Sequence, residues 1–97
     1  MGGRELPERP RLKPHCRVTW DEHREKHLLL YPEGALVLNP TGHSILEALD
    51  GERDLGQVVE TLASEYDEDP DIIRSDVEAF LAGVNERGLL TGASDRD

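Results

Sequence analysis

Residues 27–40 read HLLLYPEGALVLNP, and the fold turns on how this stretch divides. Up to Tyr31, and again over 35–38, the residues are the branched and aromatic apolar types that suit short extended segments. Between them, Tyr31-Pro32-Glu33-Gly34 predicts a tight turn. Proline suits the position after the turn start, and glycine can take a positive φ. At Asn39-Pro40 the pattern changes. Asn supplies a side-chain acceptor at a helix N-cap, and proline fits the first helical position. Strands are therefore expected before residue 39 and helices after it.

Working upstream, Arg17–Asp21 alternates, with Val18 and Trp20 on one face. A charged hairpin loop over 21–26 joins it to the strand that carries Leu28, Leu29 and Leu30. Three strands with short connections predict an antiparallel meander. Before them, residues 1–14 (MGGRELPERPRLKP) combine three prolines with many charges, the composition of a mobile arm.

Working downstream, the first helix carries Ile45, Leu46 and Leu49 and is expected to stop at Asp50-Gly51, where glycine suits a left-handed cap. The second opens at Asp54, with Gln57 three residues on, a variant of the capping box. Leu55, Val58, Val59, Leu62, Ala63 and Tyr66 form its apolar stripe, the strongest periodic signal in the chain. The third starts at Asp69-Pro70, carries Ile73, Val77, Phe80, Leu81 and Val84, and ends at Arg87-Gly88. Leu89 and Leu90 then fold back, and residues 92–97 form a polar tail. The predicted class is α+β: a three-stranded antiparallel sheet followed by three helices, like a winged helix-turn-helix, in one domain over 15–91.

Composition narrows the chemistry. The chain has 97 residues and one cysteine, Cys16, so no intramolecular disulfide can form. No apolar run approaches the roughly 20 residues of a membrane helix, and the N-terminus lacks the apolar core of a secretory signal, so a cytoplasmic protein with no membrane association is expected. Net charge is −10. It is uneven: residues 1–32 hold seven Lys and Arg against five Asp and Glu, and residues 33–97 hold four against sixteen.

That imbalance bears on the winged-helix reading. A recognition helix must approach phosphate, yet residues 69–78 (DPDIIRSDVE) carry four carboxylates and one arginine. A DNA-binding regulator remains the alternative, with no nucleic-acid partner expected. His23 and His27 lie in a loop and at a strand start, not four apart on a helix, so a zinc site is not expected. Cys16 has His15 beside it in sequence, but strand neighbours point to opposite faces. No phosphate-binding glycine loop, nucleophile elbow or catalytic triad occurs. The residues predict no enzyme, no catalytic residues, no metal and no cofactor.

The stretch 27–39, with its LL-x-PE and L-N segments, resembles the peptide chaperone family of pyrroloquinoline quinone biosynthesis. So do Ile45-Leu46 with Leu49-Asp50-Gly51-Glu52-Arg53, the earlier Arg9-Pro10-Arg11-Leu12, and the later Asp76-Val77, Phe80-Leu81 and Gly88-Leu89-Leu90. The resemblance spans about residues 9–90. It implies a winged-helix-like fold without catalysis of its own. It also implies that the protein binds a ribosomally made precursor peptide and presents it to a radical S-adenosylmethionine enzyme, which crosslinks a glutamate and a tyrosine. A leader-peptide module of another modified-peptide pathway fits the same residues. In such modules the peptide adds as a strand beside the third strand, in the groove against the third helix.

Edge-strand physics points the same way, because free N–H and C=O groups accept an extended peptide. The candidate peptide-binding residues are Ala35, Leu36, Val37, Leu38 and Asn39 on the strand, with Arg74, Leu81 and Asn85 on one flank of the third helix. That flank follows if Ile73, Val77, Phe80 and Val84 face the core; Ile72, Asp76 and Gly83 then lie on the other. Helical periodicity leaves open which flank meets the strand, and the oligomeric state, monomer or dimer, is open too.

Overall fold

The computed structural model describes residues 6–93. Its elements run β1 Arg9–Leu12, β2 Arg17–Asp21, β3 Lys26–Tyr31, β4 Gly34–Leu38, α1 Pro40–Ala48, α2 Leu55–Tyr66, α3 Pro70–Glu86 and β5 Leu90–Ala93. Strands β2, β3 and β4 form the expected antiparallel meander, in that spatial order. Leu29 pairs with Val18 on one side and Leu36 on the other. It is fully buried, and Leu38 is nearly so. This face of the sheet therefore packs onto the helices, as period-two alternation requires.

The helix starts follow the cap chemistry. Asn39 Oδ1 accepts the Gly42 N–H at 2.7 Å. Asp54 Oδ1 accepts the Gln57 N–H at 2.8 Å while Gln57 Oε1 accepts the Asp54 N–H at 2.9 Å, a reciprocal box. Asp69 caps α3, with proline in the first turn. The ends are less uniform. Helix α1 stops at Ala48 with an extended Leu49 at its C-cap, not at Gly51. Gly51 instead takes φ +80° in the following loop, where its N–H donates to the Pro10 carbonyl and its bare Cα passes the Arg11 side chain. The Asp50 carboxyl accepts the N–H groups of Arg53 and Glu52 in this loop, which holds it below the usual Asp range. Helix α2 closes on a left-handed Asp67, α3 on Gly88.

Val58, Val59, Leu62 and Ala63 of α2 meet Ile73, Val77, Leu81 and Val84 of α3 in the core, with Ile45 and Leu46 of α1. Tyr66, at the end of the α2 stripe, is exposed instead and shares a 2.6 Å hydrogen bond with the Ser44 hydroxyl.

The expected free arm is corrected over residues 9–12. They form β1, which pairs antiparallel with β5 from Arg9 opposite Ala93 to Leu12 opposite Leu90. Pro10 is buried, and Leu6 and Leu12 pack against the core. The domain thus reaches past both expected boundaries, 15 and 91. Charge and proline content argued for a free arm, but Pro10 and Leu12 share one face of a strand. Their partner lies at the far end of the chain, beyond the reach of local sequence. Gly92, opposite Pro10, has φ +149°, and a side chain there would collide with the Arg9 carbonyl. The remainder of the expected arm, residues 1–5, and of the polar tail, 94–97, lies outside the described residues. Among the described residues no helix is long and apolar enough to cross a membrane.

Candidate functional site

Strand β4 lies at the edge of the meander, so one of its sides has no neighbouring strand among the described residues. The hairpin before it turns through two residues, Pro32 and Glu33. In such a hairpin the flanking pair, here Tyr31 and Gly34, exchanges both backbone bonds, and bonded pairs then alternate along the ladder. With Leu29 opposite Leu36 and His27 opposite Leu38, the residues bonded inward are Gly34, Leu36 and Leu38. Ala35 and Val37 aim their N–H and C=O groups outward. Gly34 is the first residue of β4 and has no positive φ, so the turn does not use the freedom that glycine offered it.

Between this edge and α3 runs an open cavity of about 440 Å³. Leu36, Val37, Leu38 and Asn39 line its strand side; Ala79, Phe80, Gly83, Val84 and Arg87 line its helix side; Lys26 contributes from β3. The Phe80 ring is half-buried and lies close against α1. A Cβ on Gly42 would come within 2.8 Å of its Cε1, so a side chain there would push the ring away. Asn39 uses its side chain to cap α1.

Four of the five expected strand residues therefore line the cavity. Ala35 lies on the same edge but outside the lining. The expected helix residues do not line it. Leu81 has no exposed surface and Asn85 is buried. Arg74 is exposed on another face, its guanidinium 3.9 Å from Glu78. The cause is a rotation of the helix. The buried stripe is Ile73, Val77, Leu81, Val84 and Asn85, about 40° around from the expected stripe of Ile73, Val77, Phe80 and Val84, at 100° per residue. Phe80 thus packs at the edge of the core and also forms part of the groove wall. The lining flank is the one that holds Gly83. Two small residues there, Ala79 and Gly83, leave that side of the helix open, and this is the signal the sequence carries.

A second cavity, about 340 Å³, adjoins the first through Lys26, Leu38 and Asn39. Its walls include Trp20, His27 and His43. The two imidazoles stack at 3.7 Å, and the Trp20 ring meets His27 edge-on at 5.0 Å. His27 thus joins a ring stack rather than lying free at a strand start. His43 Nε2 lies 3.4 Å from a Glu47 carboxylate oxygen. No cluster of three or more metal-ligating side chains occurs among the described residues. Cys16 is buried, and burial pushes its thiol pKa up, which keeps it from the reactive thiolate form. At the far end of the hairpin, the hydrogen bond from Arg24 holds the Asp21 carboxyl below its usual range.

Known proteins share this architecture and sequence. The "PqqA binding protein" of Rhodopseudomonas palustris is 34% identical over 88 residues, covering 91% of this chain and 86% of its own length. The "Bifunctional coenzyme PQQ synthesis protein C/D" of Methylorubrum extorquens is 37% identical over 81 residues, but this chain spans only 22% of it. The solution structure of the PqqD truncation of Methylobacterium extorquens PqqCD, described as a functional and stand-alone recognition element for ribosomally synthesized and post-translationally modified peptides, superposes with a TM-score of 0.74. It is 36% identical, covering 84% of this chain and 87% of that one. The profile of the family described as coenzyme PQQ synthesis protein D matches residues 26–90. With the meander, the three helices and this sequence match together, the chain belongs to the PqqD family.

Proposed function

We propose that the chain is a non-catalytic peptide chaperone of pyrroloquinoline quinone synthesis. It binds the ribosomal precursor peptide as an added strand on β4 and presents it to a radical S-adenosylmethionine enzyme in the cytoplasm. One observation carries the reading: an unpaired strand edge with outward N–H groups at Ala35 and Val37 faces an open groove walled by α3. Main-chain bonds supply affinity in such an arrangement, and the groove selects side chains. The relatives' names support the precursor as the ligand, since one binds PqqA and another is a recognition element for modified peptides. The chain itself contributes no catalytic step.

Amide shift mapping tests it. On titration with the precursor peptide, shifts concentrate in residues 35–39 and in Ala79, Phe80, Gly83 and Arg87. Shifts confined to α2 or to β1 and β5 would place the peptide elsewhere and end the strand-addition reading.

A further inference from the structure

Charge along the groove departs from charge over the rest of the chain. The net charge is −10, yet the main cavity is lined by two cations, Lys26 and Arg87, and by no carboxylate. Phe80 lies beside Gly42 at the Asn39 end of the strand. The next turns of α3 carry Gly83 and then Arg87 onward along the same cavity. Lys26 stands next to His27, whose partner is Leu38, and so belongs to the Asn39 end.

Neither cation is neutralised by an ion pair among the described residues. The cross-strand neighbour of Lys26 is Asp21, but that carboxylate is taken by Arg24 at 2.6 Å. Arg87 is folded back along its own helix, with Nη1 donating to the Gly83 carbonyl at 3.1 Å. A Cβ at Gly83 would lie 3.8 Å from that nitrogen, in ordinary contact with it. That bond occupies one of five N–H donors and leaves the charge uncompensated. Lys26 also borders the second cavity, so it stands where the two meet.

We propose that the groove selects an acidic peptide segment, with one carboxylate side chain paired to Lys26 at the Asn39 end and another to Arg87 on the α3 wall. The apolar floor formed by Leu36, Leu38 and Phe80 accepts the uncharged side chains between them. In an otherwise acidic protein, such a groove rejects basic segments and draws acidic ones, because complementary charge sets partner choice and like charge penalises the wrong partner.

The proposal rests on the reading that the groove holds the peptide, and a single set of variants separates the two. The precursor peptide is titrated calorimetrically into the wild-type chain and into Lys26→Gln, Lys26→Glu, Arg87→Glu, Val37→Pro and Arg74→Glu, with folding checked by circular dichroism. Parallel titrations use peptides in which each Asp or Glu is replaced by its amide. Charge reversal at Lys26 or Arg87 weakens binding about tenfold, Lys26→Gln weakens it about threefold, and Arg74→Glu leaves it within about twofold. Amide replacement at one peptide position abolishes the effect of Lys26→Glu. If Val37→Pro weakens binding while Lys26 and Arg87 variants stay within twofold, the groove reading stands and acidic selection is wrong. If none of the variants matters, both fail. An equal loss in Arg74→Glu marks a diffuse field effect and also overturns the proposal.

Discussion

Phe80 ties the groove to the packing beneath it. Its ring rests against the bare Cα of Gly42 and forms part of the wall facing Leu36 and Leu38. Removing a half-buried ring costs less than removing a fully buried one. Phe80→Ala should therefore lower stability by about 2 kcal/mol, below the 3–5 kcal/mol of a core phenylalanine. It should weaken peptide binding more than tenfold, since the groove loses its largest apolar wall. Chemical denaturation and calorimetry on the same variant separate the two effects; a stability loss with unaltered affinity would remove Phe80 from the site. At this scale the sequence was partly legible. The sequence marks Phe80 as an apolar residue of α3, but an apolar stripe alone does not reveal its own centre, and Phe80 lies at the edge of the core. Leu81, assigned to the groove, has no exposed surface.

At the scale of elements, the edge of β4 makes the sharpest forecast. The parity of the hairpin directs the Val37 N–H outward, so proline there removes a donor from the free edge and none from the ladder with β3. Val37→Pro should keep the fold and lose most of the peptide affinity. Leu36→Pro removes an inward bond and should destabilise the sheet itself. Comparing the two by thermal melts and by titration checks the parity directly; equal melting losses would refute it. The elements themselves were largely legible. The caps at Asn39, Asp54 and Asp69 are local side-chain-to-backbone bonds within three residues, and short-range chemistry can be read in order along the chain. The close of α1 was not legible, because Gly51 is held by β1 and not by the helix it follows.

At the scale of the whole molecule, β1 and β5 join the two ends of the chain. The Lys13 N–H donates to the Leu89 carbonyl at 2.9 Å, and the Gly51 N–H to the Pro10 carbonyl at 3.3 Å, so the pair also ties the loop after α1. Deleting residues 1–12 uncovers the buried Leu90 and removes Pro10 and Leu12 from the apolar interior. The melting temperature should fall by about 5–10 °C, with the meander intact by circular dichroism. An unchanged melt would make the pair superfluous to stability. A second expectation concerns assembly. On the proposed function, the chain raises the substrate's effective concentration at the catalyst by holding peptide and enzyme together. Mixing peptide, chain and the radical S-adenosylmethionine enzyme should yield a ternary complex, with the enzyme binding the loaded chain at least as well as the free one. Mutual exclusion of peptide and enzyme would refute delivery.

The sequence by itself determined the order of the three meander strands and the three helices, the three helix starts and the family. Each of these depends on period, cap chemistry or an ordered set of residues, all readable within a few positions. Tertiary structure alone decided three further features: the rotation of α3 that buries Leu81 and leaves Phe80 at the edge of the core, the union of β1 with β5, and the placing of Lys26 and Arg87 on one groove. The physical reason is common to all three. Helix rotation is settled by competition among side chains for a shared interior, and strand pairing across some 80 residues is settled by what that interior leaves open. Neither is a property of a local window.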